Sequence, residues 1–175
     1  MLPQQELLNN PYLCFIWFNG NDPLDYWWPA DDQDRDEGDA VSIKQMIDKV
    51  KADHHIDPHR VYVTGLSAGG AMTAVMLANY PEIFAGGAII AGVPYECTTN
   101  SWEALSKCGV DLNDEGEIPI KDPSPSQWGQ RVREATNYKG PRPKVSIWHG
   151  SADKAANRRV ISSPPPAAPL VRATA

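Results

Sequence analysis

The segment Gly65-Leu66-Ser67-Ala68-Gly69-Gly70 constrains the possible fold more than any other part of the chain. It directly follows residues 61–64, whose β-branched and aromatic side chains predict a strand, and it precedes a stretch ending at Tyr80-Pro81 that predicts an amphipathic helix. A serine in a glycine-flanked turn between a strand and a helix is the nucleophile elbow, which holds the hydroxyl above a sheet. We expect Gly65 and Gly69 both to be required, because so tight a turn has no room for a β-carbon. The alternative is a glycine-rich turn that serves only packing or anion binding.

The order of the other predicted elements indicates an α/β fold. Besides the strand and helix that flank the elbow, apolar spacing predicts two helices and two strands. The helices are one from Val41 that stops at Asp57-Pro58 and one over 127–135, and the strands are 87–92 and 144–148. Asp39 and Ser126 are the expected N-caps of these two helices, and residues 1–40 otherwise have the composition of a loop. Helices that alternate with strands in this way predict a central parallel sheet with helical crossovers.

Two candidate catalytic side chains follow predicted strands, at the carboxyl edge where α/β proteins place their chemistry. Ser67 is the candidate nucleophile, and the backbone N–H of Ala68 is a candidate oxyanion donor. Asp153 suits the acid of a Ser–acid–His order along the chain, with a solvated turn aspartate as the alternative. The four histidines, at positions 54, 55, 59 and 149, all precede this acid. We interpret His149 as a packing or hydrogen-bonding residue at the end of its strand, with a displaced general base as the alternative.

Charge and composition argue against several classes of function. The chain has 22 acidic and 16 basic side chains and a net charge of −6, which disfavours a nucleic-acid partner. No apolar run reaches the roughly 18 to 20 residues that span a bilayer, and the first residues lack the layout of a signal peptide. His55 and His59 cannot share a helical face across Pro58, and the acidic run 31–39 lacks the glycine and glutamate positions of a calcium loop. We therefore expect no membrane span, no metal and no cofactor.

Five segments of the chain together resemble one family of enzymes, and they are residues 61–72, 80–88, 91–95, 128–129 and 148–153. They are similar to the secreted polyhydroxybutyrate depolymerases and feruloyl/acetylxylan esterases, which are α/β hydrolases. The resemblance extends over about residues 2–154. It implies extracellular hydrolysis of small or polymeric carboxylic esters, through an acyl-serine on Ser67 with Asp153 as the acid that orients a histidine. It also implies that Cys97 and Cys108 pair as a disulfide.

The same resemblance predicts an incomplete domain. Residues 1–154 are expected to form part of an α/β-hydrolase domain, and residues 155–175, rich in proline and alanine, a disordered tail. Relative to the family, the chain begins after a segment that supplies oxyanion contacts and ends before the catalytic histidine, so we expect a fragment truncated at both ends. Two functions stay open. One is a carboxylic ester hydrolase acting through Ser67, and the other is a catalytically dead fragment or non-catalytic binding protein, because no histidine follows Asp153.

Overall fold

The computed structural model describes residues 30–54, 56–97, 123–150, 153 and 171–172. The helices and strands within these ranges are α1 (Ala30–Gln33), α2 (Gly38–Asp53), a 3-10 helix (Pro58–Arg60), β1 (Tyr62–Leu66), α3 (Ala68–Asn79), β2 (Gly86–Ile90), α4 (Pro125–Glu134), β3 (Lys144–Trp148) and β4 (Val171–Arg172). The predicted α/β fold with helical crossovers is confirmed. Across these ranges, no helix combines the length and the hydropathy needed to cross a bilayer.

The strands form one parallel sheet in the order β1-β2-β3-β4. Leu66, Ile90 and Trp148 pair across the first three strands, so these strands end together at one edge, which we call the carboxyl edge. Two further hydrogen bonds continue past it. The N–H of Ser67 donates to the carbonyl of Ile90 at 2.9 Å, and the N–H of Ala91 donates to the carbonyl of Trp148 at 2.8 Å. The residues that directly follow β1, β2 and β3 therefore lie in one row along the carboxyl edge.

The strand β4 lies in a segment for which we expect no regular structure. Its two residues pair with Ser146 and Ile147 of β3. Pairing with an open strand edge uses backbone groups alone and requires no alternation of side chains, so the sequence pattern gives no signal of it. Residues 154–170 and 173–175 lie outside the described residues, so the predicted tail stays a prediction there.

The helix α3 is the centre of the core. It contacts β1 and β2 on one side and α2 and α4 on the other, and every residue from Gly70 to Asn79 is buried. The prediction of an amphipathic helix is therefore wrong. Its alanine, methionine, valine and leucine side chains surround the helix, as expected of one enclosed by other elements. The buried apolar residues packed around it are Ala40, Ile43, Ile83, Phe84, Ile89 and Tyr95.

The start of α2 differs from its prediction. The N-cap residue is Glu37 rather than Asp39, and its side chain makes no capping hydrogen bond. The backbone N–H of Asp39 is instead satisfied by Oδ1 of Asp32, at 3.1 Å. The difference arises because the capping side chain, Asp32, is seven residues earlier in the chain. In the usual N-cap pattern the capping residue is only two or three residues before the N–H that it accepts from. The short helix α1 also lies within the segment predicted as loop.

The helix α4 begins with a capping box. The N–H of Gln127 donates to Oγ of Ser124 at 3.4 Å, and the N–H of Ser124 donates to Oε1 of Gln127 at 2.7 Å. The predicted cap, Ser126, is instead the second residue of the helix. Pro125 occupies the first helical position, where a backbone N–H makes no intrahelical hydrogen bond and proline is therefore tolerated. The helix consequently starts earlier than its apolar spacing indicates.

Candidate active site

Ser67 occupies the turn between β1 and α3 in a backbone conformation that L-residues rarely adopt. Its φ is 55° and its ψ is −118°. This region costs a non-glycine residue roughly 1–3 kcal/mol and persists only where surrounding contacts enforce it. Here the serine N–H is fixed to Ile90, and the serine carbonyl accepts a hydrogen bond from the N–H of Ala71 at 3.0 Å. Ser67 is exposed and its side chain does not cap the helix, so the turn presents the hydroxyl to solvent.

Only one of the two glycines of the motif is required at this turn, and two further glycines are required beside it. A β-carbon at Gly65 would lie 2.0 Å from the carbonyl oxygen of Gly69, so Gly65 is required as expected. A β-carbon at Gly69 would meet no described atom within 4 Å, so the expectation for Gly69 is wrong. Instead, a β-carbon at Gly70 would lie 2.8 Å from the carbonyl oxygen of Ile90, and one at Gly92 would lie 2.6 Å from the carbonyl carbon of Gly70. The start of α3 therefore packs backbone against backbone on the segment that follows β2.

Ala68 is the first residue of α3 and is exposed. Its N–H is one of the four that an α-helix leaves without an intrahelical acceptor. The helix dipole adds partial positive charge at the same end. An N–H in this position, one residue after the serine, suits an anion that forms next to the serine hydroxyl.

Asp153 and His149 lie side by side beyond β3. His149 directly follows β3 in the row at the carboxyl edge, and the N–H of Asp153 donates to the carbonyl of Gly150 at 3.3 Å, which closes a turn. The distance from Nε2 of His149 to Oδ2 of Asp153 is 3.4 Å, and the two side chains are 6% and 20% exposed. This placement agrees with the interpretation of His149 as a packing or hydrogen-bonding residue. Since β2 separates β1 from β3, the backbones of Ser67 and His149 are about 10 Å apart, or two strand spacings.

Ala91 stands between these two positions in the row and is itself in the left-handed region, with a φ of 46°. The sequence does not indicate it, because alanine gives no signal of positive φ in the way that glycine or asparagine does. Backbone strain of this kind is concentrated at functional sites. Two of the three residues in the row, Ser67 and Ala91, are therefore held in costly conformations.

The other histidines are elsewhere. His59 is exposed and lies in the 3-10 helix that leads into β1, at the opposite edge of the sheet from Ser67. His54 follows the last residue of α2 and is also exposed. His55 lies outside the described residues. Within the part of the chain that the structure describes, His149 is the histidine that directly follows a strand.

Cys97 lies at the end of the segment that follows β2. It is buried and disulfide-bonded. Cys108 lies outside the described residues, so the pairing of these two cysteines stays a prediction. Arg131 of α4 fixes the same segment, because its guanidinium donates to the carbonyl of Glu96 and stacks over the ring of Trp128 at 4.6 Å.

Comparison with known proteins shows that this chain is similar to esterases. The family model described as Esterase PHB depolymerase matches residues 23–112, just over half of the chain. Poly(3-hydroxyalkanoate) depolymerase C of Paucimonas lemoignei is 47% identical over 152 residues, which cover 86% of this chain and 32% of that protein. Acetylxylan esterase A of Emericella nidulans is 37% identical over 123 residues, which cover 66% of this chain and 37% of that protein.

A solved structure of an esterase is also similar to this chain. The acetyl xylan esterase from Aspergillus awamori superposes with a TM-score of 0.62 at 28% identity, over 73% of this chain and 46% of that one. The chain spans about a third of the length of the curated relatives that it matches. The fold, the family model and these relatives agree, and the chain belongs to the esterase PHB depolymerase family.

Proposed function

We propose that this chain carries the nucleophile and the acid of a carboxylic ester hydrolase. The observation that supports the proposal most strongly is the exposed Ser67 at a φ of 55° in the turn between β1 and α3. A strained, exposed serine between a strand and the helix at the core has no evident value for stability. It has an evident value for attack on an acyl carbon.

The reaction follows from the groups at the carboxyl edge. Oγ of Ser67 forms a bond to the ester carbonyl carbon while a general base oriented by Asp153 takes the hydroxyl proton. The negative charge on the carbonyl oxygen is stabilised by the N–H of Ala68. The C–O bond to the alcohol then breaks, and the alcohol leaves with the proton from the base. Water repeats the sequence on the acyl-serine and releases the carboxylic acid.

The substrate class is a carboxylic ester, small or polymeric. Relatives are named as a poly(3-hydroxyalkanoate) depolymerase and as acetylxylan and feruloyl esterases, and the first of these shares 47% identity with this chain. We infer that the protein acts outside the cell, in keeping with this family. The disulfide at Cys97 supports that location, because disulfides persist in oxidising compartments.

Labelling with a fluorophosphonate probe tests the proposal, because the probe reacts with a serine only when its hydroxyl is activated. The protein is used as its host produces it, together with the variants Ser67→Ala and Ser42→Ala. Ser42 is an exposed serine of α2 and provides the matched control. We expect the probe on the peptide that contains Ser67, together with hydrolysis of p-nitrophenyl acetate. Both should be lost in Ser67→Ala and kept in Ser42→Ala.

The contrary result is a folded protein that melts cooperatively, takes up no probe and hydrolyses no ester. It would refute the proposal and favour a non-catalytic binding protein. Binding of polyester or xylan that is unchanged in Ser67→Ala would then identify that second function.

A further inference from the structure

We propose that His149 is a positioning residue that holds the Asp153 carboxylate in place for the reaction. The inference rests on the proposed function, because it assigns a second residue to the acid of the same site. It concerns a histidine that precedes the acid along the chain, whereas the Ser–acid–His order expects its histidine after the acid.

The first observation is the contact itself. Nε2 of His149 lies 3.4 Å from Oδ2 of Asp153, and the histidine side chain is only 6% exposed. A buried imidazole has few rotamers available, so its N–H is a fixed donor. The Asp153 carboxylate is more exposed, at 20%, and can therefore adopt more side-chain conformations. The buried partner therefore sets the orientation of the exposed one.

The second observation is the turn that returns the acid to the end of its own strand. The N–H of Asp153 donates to the carbonyl of Gly150 at 3.3 Å, and Gly150 directly follows His149. The backbone of the acid is therefore held close to the histidine. The backbone hydrogen bond fixes the position of the Asp153 α-carbon, and the contact with His149 selects the direction of its side chain. The two contacts together hold the carboxylate at the carboxyl edge. Such support is what a catalytic group needs in order to stay within about 0.5 Å of its productive position.

The geometry also distinguishes positioning from proton transfer. A general base must come within about 2.6–3.2 Å of the serine hydroxyl. His149 is in the third position of the edge row, with Ala91 between it and Ser67, and its Nε2 faces the carboxylate. The backbones of His149 and Ser67 are separated by two strand spacings, about 10 Å. The role that fits this arrangement is donation to Asp153.

Replacement of His149 by two different side chains tests the assignment. We expect His149→Leu to lower both kcat for p-nitrophenyl acetate and the rate of fluorophosphonate labelling by about 100-fold, with little change in KM, because small displacements of catalytic groups have effects of this size. His149→Gln keeps an N–H donor but cannot take up a proton at neutral pH, and should recover most of the rate. His59→Leu, which removes an exposed histidine from the opposite edge, should leave the rate unchanged.

The coupling between the two residues provides a second test. In the background Asp153→Ala, the further change His149→Leu should alter the labelling rate by less than about threefold, because the group on which it acts is already absent. Thermal melts of each variant confirm that the folded state is being measured. If His149→Leu does not fold, the nitrogen NMR spectrum of the His149 imidazole decides instead. We expect the Nε2-protonated form in the wild type and a changed distribution in Asp153→Ala.

The possible failures are distinguishable. A wild-type protein that takes up no probe overturns the proposed function and this inference with it. Normal labelling of the wild type with no effect of His149→Leu overturns the inference alone. Equal rates for His149→Gln and His149→Leu, both about 100-fold low, would show that His149 transfers the proton itself and would also overturn it. So would an unchanged imidazole spectrum in Asp153→Ala.

Discussion

The two ends of α3 contrast sharply, although they belong to one helix. At its N-terminus, Ser67 is exposed and held at a φ of 55°. At its C-terminus, Asn79 and Tyr80 are fully buried. Their polar groups are partnered, because the side-chain amide of Asn79 donates to the carbonyl of Gln33, and Arg35 donates to the carbonyl of Asn79 and stacks over the Tyr80 ring at 4.7 Å.

The difference shows how the fold separates reactivity from stability. The reactive end stores backbone strain and is shaped by glycines, which tolerate close approach. The other end gains stability from buried hydrogen bonds and joins α3 to the segment that precedes α2. Since 12 residues of helix lie between them, the two ends are about 18 Å apart at 1.5 Å per residue. We therefore expect changes at the N-terminal end to alter activity, and changes at the C-terminal end to alter stability alone.

The largest effect is expected for Gly65→Ala. The added β-carbon would lie 2.0 Å from the carbonyl oxygen of Gly69, and a backbone atom cannot move aside as a flexible side chain can. We expect the free energy of unfolding to fall by about 3 kcal/mol or more, and the probe to react with Ser67 far more slowly. Urea denaturation measures the first effect, and the labelling rate per folded molecule measures the second.

The matched control for this variant is Gly69→Ala. It makes the same chemical change four residues later, where a β-carbon meets no described atom within 4 Å. Its free energy of unfolding should stay within about 1 kcal/mol of the wild type, since alanine is also the better helix former. Equal losses in the two variants would show that the close approach of Gly65 to the Gly69 carbonyl is not the cause.

At the other end of α3, Asn79→Ala should destabilise the protein without changing its chemistry. The change removes the donor to the Gln33 carbonyl and the acceptor 3.5 Å from the Tyr95 hydroxyl, both in a buried environment. Loss of buried hydrogen-bond partners is expected to lower the free energy of unfolding by about 2 kcal/mol. The labelling rate of the folded fraction should be unchanged. Gln45→Ala, on the exposed side of α2, is the control that should alter neither quantity.

The contrast between the two ends also explains what the sequence could predict. The elbow was predictable because a strand, a glycine-flanked serine and a helix are consecutive in the chain, and local order is what such patterns record. The polar contacts around Asn79 were not, since Arg35 is 44 residues away and nothing in either side chain specifies the other. The burial of α3 on all sides was missed for a related reason. Its environment depends on the sheet and on two other helices, whereas the helical spacing of apolar residues predicted only one buried face.

The candidate site was predictable to a similar extent. Strand ends placed Ser67 and Asp153 at the carboxyl edge, because parallel strands have a common direction. The contact between His149 and Asp153 could be suspected from their separation of four residues, but it depends on a turn that only coordinates reveal. The close approach of Gly70 and Gly92 was not predictable, because it joins segments about 20 residues apart. The positive φ of Ala91 was not predictable either, since the hydrogen bond of its N–H is to Trp148, in a strand much later in the chain.

Ser67→Gly should stabilise the protein while it abolishes the reaction. Glycine relieves the strain of positive φ but increases the entropy of the unfolded chain, so we expect a net gain of about 1 kcal/mol in the free energy of unfolding. The same change at Ser42, inside α2 and free of backbone strain, should cost about 0.5–1 kcal/mol. Urea denaturation of both variants supplies the comparison. A loss of stability in Ser67→Gly as large as that in Ser42→Gly would contradict the claim that the N-terminal end of α3 stores strain.

The smallest effect concerns pH at the C-terminal end of α3, where Arg35 forms an ion pair with Glu82. Burial tends to raise the pKa of Glu82, but the hydrogen bond and positive charge of Arg35 outweigh it, so the pKa lies below its ordinary value. A carboxyl whose pKa is lowered by folding stabilises the protein above the pKa of the unfolded chain, about 4.3 for glutamate. This contribution is lost as the pH falls through the lower pKa of the folded state.

Because the two side chains are 31% and 34% exposed, the contribution of this ion pair to the free energy of unfolding should not exceed about 1 kcal/mol. Urea denaturation of wild type and Glu82→Gln should therefore give a stability difference at pH 7 that shrinks steadily below pH 4. A difference that stays constant with pH would show that Glu82 acts through packing rather than through its charge.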